Sequence, residues 1–129
     1  MSLKSTTNKS PKSLKKMPTA IKAEGRIWIE TSEGKLVGKG RIELMEKINE
    51  FGSIRQAAAA MKMSYRQAWQ LIDEVNTRGK TPMVISQRGG KGGGQAIVTE
   101  KGHEVIALYK ALNNRFQKFL AKEAEKFNF

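Results

Sequence analysis

The sequence predicts an α+β domain, mainly α, and three observations lead to it. Short alternating apolar segments occur in two pairs, each pair separated by turn-forming residues. Between and after the pairs lie capped stretches with apolar residues every three or four positions, the helical spacing. The 129 residues, with no cysteine, are one domain's worth and offer no disulfide or cysteine-rich zinc framework.

The elements follow in chain order. Residues 1–23 are rich in Lys, Ser and Thr, contain Pro11 and Pro18, and have no periodicity, so a disordered basic arm is expected there. RIWIE (Arg26 to Glu30) alternates, TSEGK is a turn, and LVG (Leu36 to Gly38) returns as a second strand. In RIELMEKINEFG the residues Ile42, Met45 and Ile48 form an apolar stripe, with Leu44 at its edge and Gly52 as the stop. Ser53 caps the alanine-rich IRQAAAAMK, whose small side chains allow a second helix to approach closely. After a short turn at Lys62–Met63, Ser64 caps YRQAWQLIDEVN, where Ala68, Leu71, Ile72 and Val75 face inward. MVIS (Met83 to Ser86) and QAIVT (Gln95 to Thr99) are strands on either side of RGGKGGG. Thr99 then caps a long helix, about 99–129, with Val105, Leu108 (with Tyr109), Leu112, Phe116, Phe119 and Leu120 as its apolar side.

Strand, helix, helix-turn-helix and hairpin in this order make a winged helix-turn-helix with a β-hairpin wing and a long C-terminal helix. The expected domain is 24–129. With the core positions of the third helix inward, a rotation of about 100° per residue puts Arg66, Gln70 and Asp73 on the opposite face. Tyr65 and Trp69 fall on one flank and Gln67 on the other. Arg and Gln suit bidentate reading of guanine and adenine edges, and Ser64, at a helix N-terminus, suits a backbone phosphate. Tyr65 and Trp69 read equally well as groove contacts or as partly buried core. Asp73 lies too far along the helix to be a base contact. In the wing, Arg88 and Lys91 supply charge while Gly90 and Gly92 let the backbone come close to DNA. Arg55 and Lys62 are expected at the DNA backbone.

Charge agrees with a polyanionic partner. The chain carries 24 Lys and Arg against 12 Asp and Glu, a formal net charge of +12. Six of those lysines and no acid lie in residues 1–23, leaving +6 for the remainder. From Phe51 to Thr99 there are seven basic residues (Arg55, Lys62, Arg66, Arg78, Lys80, Arg88 and Lys91) against Asp73 and Glu74. No apolar run has the length of a membrane span, and no signal peptide opens the chain, so a soluble, cytoplasmic protein is expected without a membrane partner. A single histidine, His103, makes a His-based metal site or catalytic triad improbable.

GSIRQAAAAMKMSYRQAWQLIDEVN followed by RGGKGGGQAIVTEKG resembles the N-terminal DNA-binding domain of the ModE family, molybdate-dependent transcriptional regulators related to the LysR-type winged helix. The resemblance runs from about Arg26 to Leu120. It implies a homodimer, with the first and the C-terminal helices at the interface. It also implies double-stranded DNA as partner and control of molybdate transport or molybdenum metabolism genes. Members of that family carry C-terminal molybdate-binding domains. The sequence ends at Phe129, and no such domain is expected within it. A second departure is Lys62, where the family turn usually has glycine.

The expected function is sequence-specific binding of a palindromic operator by a homodimer, with half-sites about 10 base pairs apart or a multiple of that. The alternatives are an oxyanion (molybdate) sensor and a non-specific architectural nucleic-acid-binding protein. An enzyme is not expected, and no cofactor is. RGGKGGG matches neither common nucleotide-binding glycine pattern and joins two strands instead of opening a helix.

Overall fold

A computed structural model describes residues 20–87 and 94–128. The expected arm, up to residue 19, and the wing residues Arg88, Gly90, Lys91 and Gly92 lie outside them. The order is β1 (Ile29–Thr31), β2 (Gly34–Val37), α1 (Lys39–Phe51), α2 (Ile54–Ala60), α3 (Tyr65–Arg78), β3 (Val84–Gln87), β4 (Gln95–Val98) and α4 (Glu100–Ala124), with a 3-10 turn at Glu125–Phe127. The fold is thus mixed α and β, mainly helical, with two small antiparallel sheets.

β1 is shorter than RIWIE suggested, and the competing partner is identifiable. The Ile27 carbonyl accepts from the Tyr109 hydroxyl at 2.9 Å instead of joining the strand ladder. The β1–β2 pairing is also irregular between Ile29 and Glu30. The β3–β4 pairing is regular, from Val84↔Val98 to Gln87↔Gln95. α1 ends at Gly52 in a left-handed conformation (φ 67°), which only glycine adopts without strain. The freed Gly52 carbonyl accepts from Ala96 N at 3.0 Å, which fastens β4 to the end of α1.

Residues 25–118 form one compact unit, and the described residues 20–24 and 119–128 belong to another. The core of the first is built from Val37, Ile42, Leu44, Met45 and Ile48, joined by Ile54, Ala57 and Ala58 of α2. Ala68, Ile72 and Val75 of α3 and Met83, Val84, Ala96 and Val98 of the hairpin complete it, with Tyr109 from α4. Leu44, placed at the stripe's edge by its spacing, is fully buried. Of the expected apolar side of α4, Tyr109 is buried and Val105, Leu112, Phe116 and Leu120 are partly so, but Leu108 is 63% and Phe119 58% exposed. In the second unit, Lys126 pairs with Glu123 at 3.1 Å beyond the last full turn of α4.

Candidate nucleic-acid interface

Local sequence rules set the geometry of α2 and α3. Ser53 caps α2, its hydroxyl accepting from Gln56 N at 3.0 Å. Ser64 does the same for α3, accepting from Gln67 N at 3.0 Å. Between them, Met63 N donates to Ala58 O at 3.0 Å and Lys62 N to Ala59 O at 3.1 Å. Those two bonds make a Schellman ending, and Lys62 fills its left-handed position with φ 57°. The turn therefore keeps the glycine-type conformation although a lysine occupies it.

α3 then divides cleanly. Ala68, Ile72 and Val75 are buried and Leu71 is partly so, as the spacing required. Arg66, Gln67, Gln70 and Asp73 are exposed along the other side. Among the described residues, Arg66, Asp73 and Lys62 make no side-chain hydrogen bond or ion pair. Gln70 Nε2 reaches Glu74 Oε2 at 3.5 Å, the long limit of a hydrogen bond. Tyr65 and Trp69 divide the two readings of their flank: Trp69 packs against the core, and Tyr65 is 40% exposed. Their rings meet edge to face with centroids 6.3 Å apart. Arg55, from α2, lays its guanidinium over the Tyr65 ring at 4.2 Å. The described candidates Ser64, Tyr65, Arg66, Gln67 and Gln70 thus share one exposed stretch of α3. Arg55 joins it through Tyr65, and Lys62 sits in the turn just before it.

Two structural groups escaped the sequence reading. Asn76 accepts through Oδ1 from Met83 N (2.7 Å) and Val84 N (3.1 Å), and its Nδ2 donates to Val84 O (2.9 Å). It clamps the start of β3 to the last turns of α3. A polar amide one residue after the buried Val75 was the available clue, because a half-buried amide needs partners.

The second group is an ion cluster. Glu74 binds Arg41 NH2 at 2.6 Å and Arg78 NH1 at 3.3 Å, and both arginines donate to the Lys35 carbonyl. Arg78, counted with the surface cations, is therefore spent inside the fold. Burial pushes the Glu74 carboxyl up, but the Arg41 hydrogen bond and charge, with Gln70 and Arg78, outweigh it. The group is held below its ordinary value.

Among the described residues no helix is long and apolar enough to cross a membrane. No group of His, Cys, Asp and Glu side chains there is arranged to hold a metal.

No protein-family model matches the chain. Curated proteins do. It is 34% identical over 110 residues to the molybdenum transport protein ModE of Azotobacter vinelandii, covering 85% of this chain and 41% of that protein. The chain is similar to the ModE proteins. To the DNA-binding transcriptional dual regulator ModE of Escherichia coli (strain K12) it is 35% identical over 98 residues, 76% of this chain and 37% of that one. To the molybdenum-pterin-binding protein MopB of Rhodobacter capsulatus it is 34% identical over 95 residues, 74% and 35% respectively. These relatives are named for transport, regulation and binding, not for catalysis. The chain spans about two fifths or less of their lengths, so its end point carries no weight for or against molybdate binding.

Proposed function

We propose that this chain is the DNA-binding part of a ModE-like, cytoplasmic transcriptional regulator, with residues 24–129 as a LysR-related winged helix-turn-helix. It binds a palindromic operator as a homodimer, through α4 and α1, and governs molybdate transport or molybdenum metabolism genes. The observation that carries this reading is α3 itself. One side of it is locked in the core, while the other exposes Arg66, Gln67 and Gln70 behind a serine-capped N-terminus. Arg66 and Gln70 read base edges, Ser64 meets a phosphate, and Arg55 and Lys62 contact the backbone. Gln70 can leave Glu74 Oε2 at little cost, because that bond is already at the long limit of 3.5 Å and Arg41 and Arg78 offset the carboxylate's charge through Oε1.

The relative named as a DNA-binding regulator supports the reading. The exposed Leu108 on α4 suits a helix that pairs with a second copy. Arg88, Gly90, Lys91 and Gly92, between β3 and β4 in sequence, act as the wing on flanking phosphates or the minor groove. The arm of residues 1–23 adds non-specific attraction.

The test is selection of bound fragments from the source genome, followed by Arg66→Ala. The variant should relax base preference at one operator position, at a cost of about 1–3 kcal/mol. Equal weakening on every sequence would make Arg66 a phosphate contact, and a selection that enriches nothing would sink the reading. A second reading, that the protein also responds to molybdate, is favoured by the relatives' molybdenum names. Repeating the selection with molybdate, beside a calorimetric titration of molybdate into the protein, decides it.

A further inference from the structure

The geometry points to Tyr65 as a positioning residue that acts on DNA through Arg55, not by touching DNA itself. This rests on the DNA-binding reading above. Arg55 belongs to α2 and Tyr65 is the first residue of α3, so the stack joins the two helices that flank the turn. A ladder supports it from below. Trp69 packs against the core, its ring meets Tyr65 edge-on one turn earlier in α3, and the guanidinium lies 4.2 Å above the Tyr65 ring.

Arg55 has no hydrogen bond or ion pair among the described residues, so every N–H of its guanidinium is available. Stacking occupies the flat face of that group and leaves its edge free, and the edge is what grips a phosphate in two places. A cation already held on a ring has less motion to lose on meeting an anion. No acidic residue occupies the first turn of α2 or of α3, so Arg55 stands near the positive end of a helix without a carboxylate from either of those turns. A phosphate would relieve both. The Tyr65 hydroxyl has no hydrogen bond among the described residues, and this role asks nothing of it. What matters is the ring.

Such a device is indifferent to base sequence. It should set affinity and salt dependence and leave base preference alone, the converse of Arg66. The experiment uses the full chain with two short duplexes, one carrying the sequence enriched in the genomic selection and one of random sequence. Dissociation constants are measured across a salt series.

Arg55→Ala should weaken both duplexes and lower the salt slope by about 0.9, one phosphate's worth. Tyr65→Leu should weaken both by about 2- to 5-fold, the scale of an exposed cation–π contact, and cost nothing further in an Arg55→Ala background. Tyr65→Phe, which keeps the ring, should stay within about twofold of the parent. It carries the test if thermal melts show that the leucine variant does not fold.

A loss of about tenfold in Tyr65→Phe would overturn the inference by making the hydroxyl a direct contact. So would a Tyr65→Leu loss that persists without Arg55, or a change in base preference in any Tyr65 variant. If these failures occur while Arg66→Ala still relaxes base preference, DNA reading stands and only the positioning role falls. If the parent binds neither duplex, both fall together.

Discussion

Removing the Asn76 side chain should loosen the hairpin from the helix that precedes it. Asn76→Ala deletes three hydrogen bonds, at 2.7, 3.1 and 2.9 Å, whose partners are the backbone of Met83 and Val84. Both residues are buried, so water does not readily replace the amide. At a net ~1 kcal/mol per bond the loss is about 3 kcal/mol. Alanine's better helix propensity returns about 0.5 kcal/mol, leaving a net destabilisation of about 2.5 kcal/mol. For a domain of this size that lowers Tm by roughly 10 °C. Urea unfolding at constant m, with hydrogen exchange at the Met83 and Val84 amides, measures it. Asn76→Asp keeps the acceptor and loses only the donor to Val84 O, so it should fall between parent and alanine variant. If Asn76→Ala cost less than about 1 kcal/mol, or left those two amides as protected as before, the clamp would not be holding the hairpin.

Three other perturbations test separate parts of the fold. Glu74→Gln should cost about 1–2 kcal/mol at pH 7, because Arg41 and Arg78 lose their shared charge. The folded carboxyl lies below its ordinary value of 4.5, so its contribution is complete above that pH and disappears as pH falls through the folded value. Parent and variant should therefore converge in denaturant unfolding as the pH is lowered below 4.5, and a gap that stayed constant into the acid range would contradict the assignment. Gly102→Ala should destabilise by about 1–3 kcal/mol, since its Cβ would come within 2.6 Å of Val98 Cγ1 and nearer still to the Met83 carbonyl oxygen. A melt unchanged by that methyl would mean the start of α4 is loosely seated. Lys62→Gly should raise stability by about 0.5 kcal/mol, the relief of a left-handed lysine less the entropy glycine gives up. A lower Tm in that variant would show that the lysine side chain itself supports the turn.

What could be read from the sequence was local. Caps at Ser53 and Ser64, the stop at Gly52 and the inward set on α3 depend on neighbours within one or two turns, and each appears where its residue type required. Partners distant in the chain were not legible. Leu108 and Tyr109 are adjacent apolar residues that periodicity cannot rank, and the choice is made by a carbonyl 82 residues earlier that needs a hydroxyl donor. Arg78 looked like one more surface cation until Glu74 and the Lys35 carbonyl claimed it. Asn76 ended a helix in the pattern, and only the packed hairpin reveals its task.

The same distinction bounds the proposed interface on α3. Charge counting treats every cation from Phe51 onward alike, but Arg78 is committed to the fold while Arg66 is unpaired among the described residues and exposed. Asp73 is also exposed and makes no ion pair among the described residues. An anion placed against a phosphate backbone repels it, and more strongly once water is excluded. Contact should therefore concentrate on the first two turns of α3, from Ser64 to Gln70, with the helix axis tilted so that Asp73 rises away from the DNA. Asp73→Asn should then tighten binding to all sequences about equally, by about two- to fivefold at low salt, and less as salt screens the charge. A change in base preference instead would place Asp73 in the groove and require α3 to lie along it for its whole length.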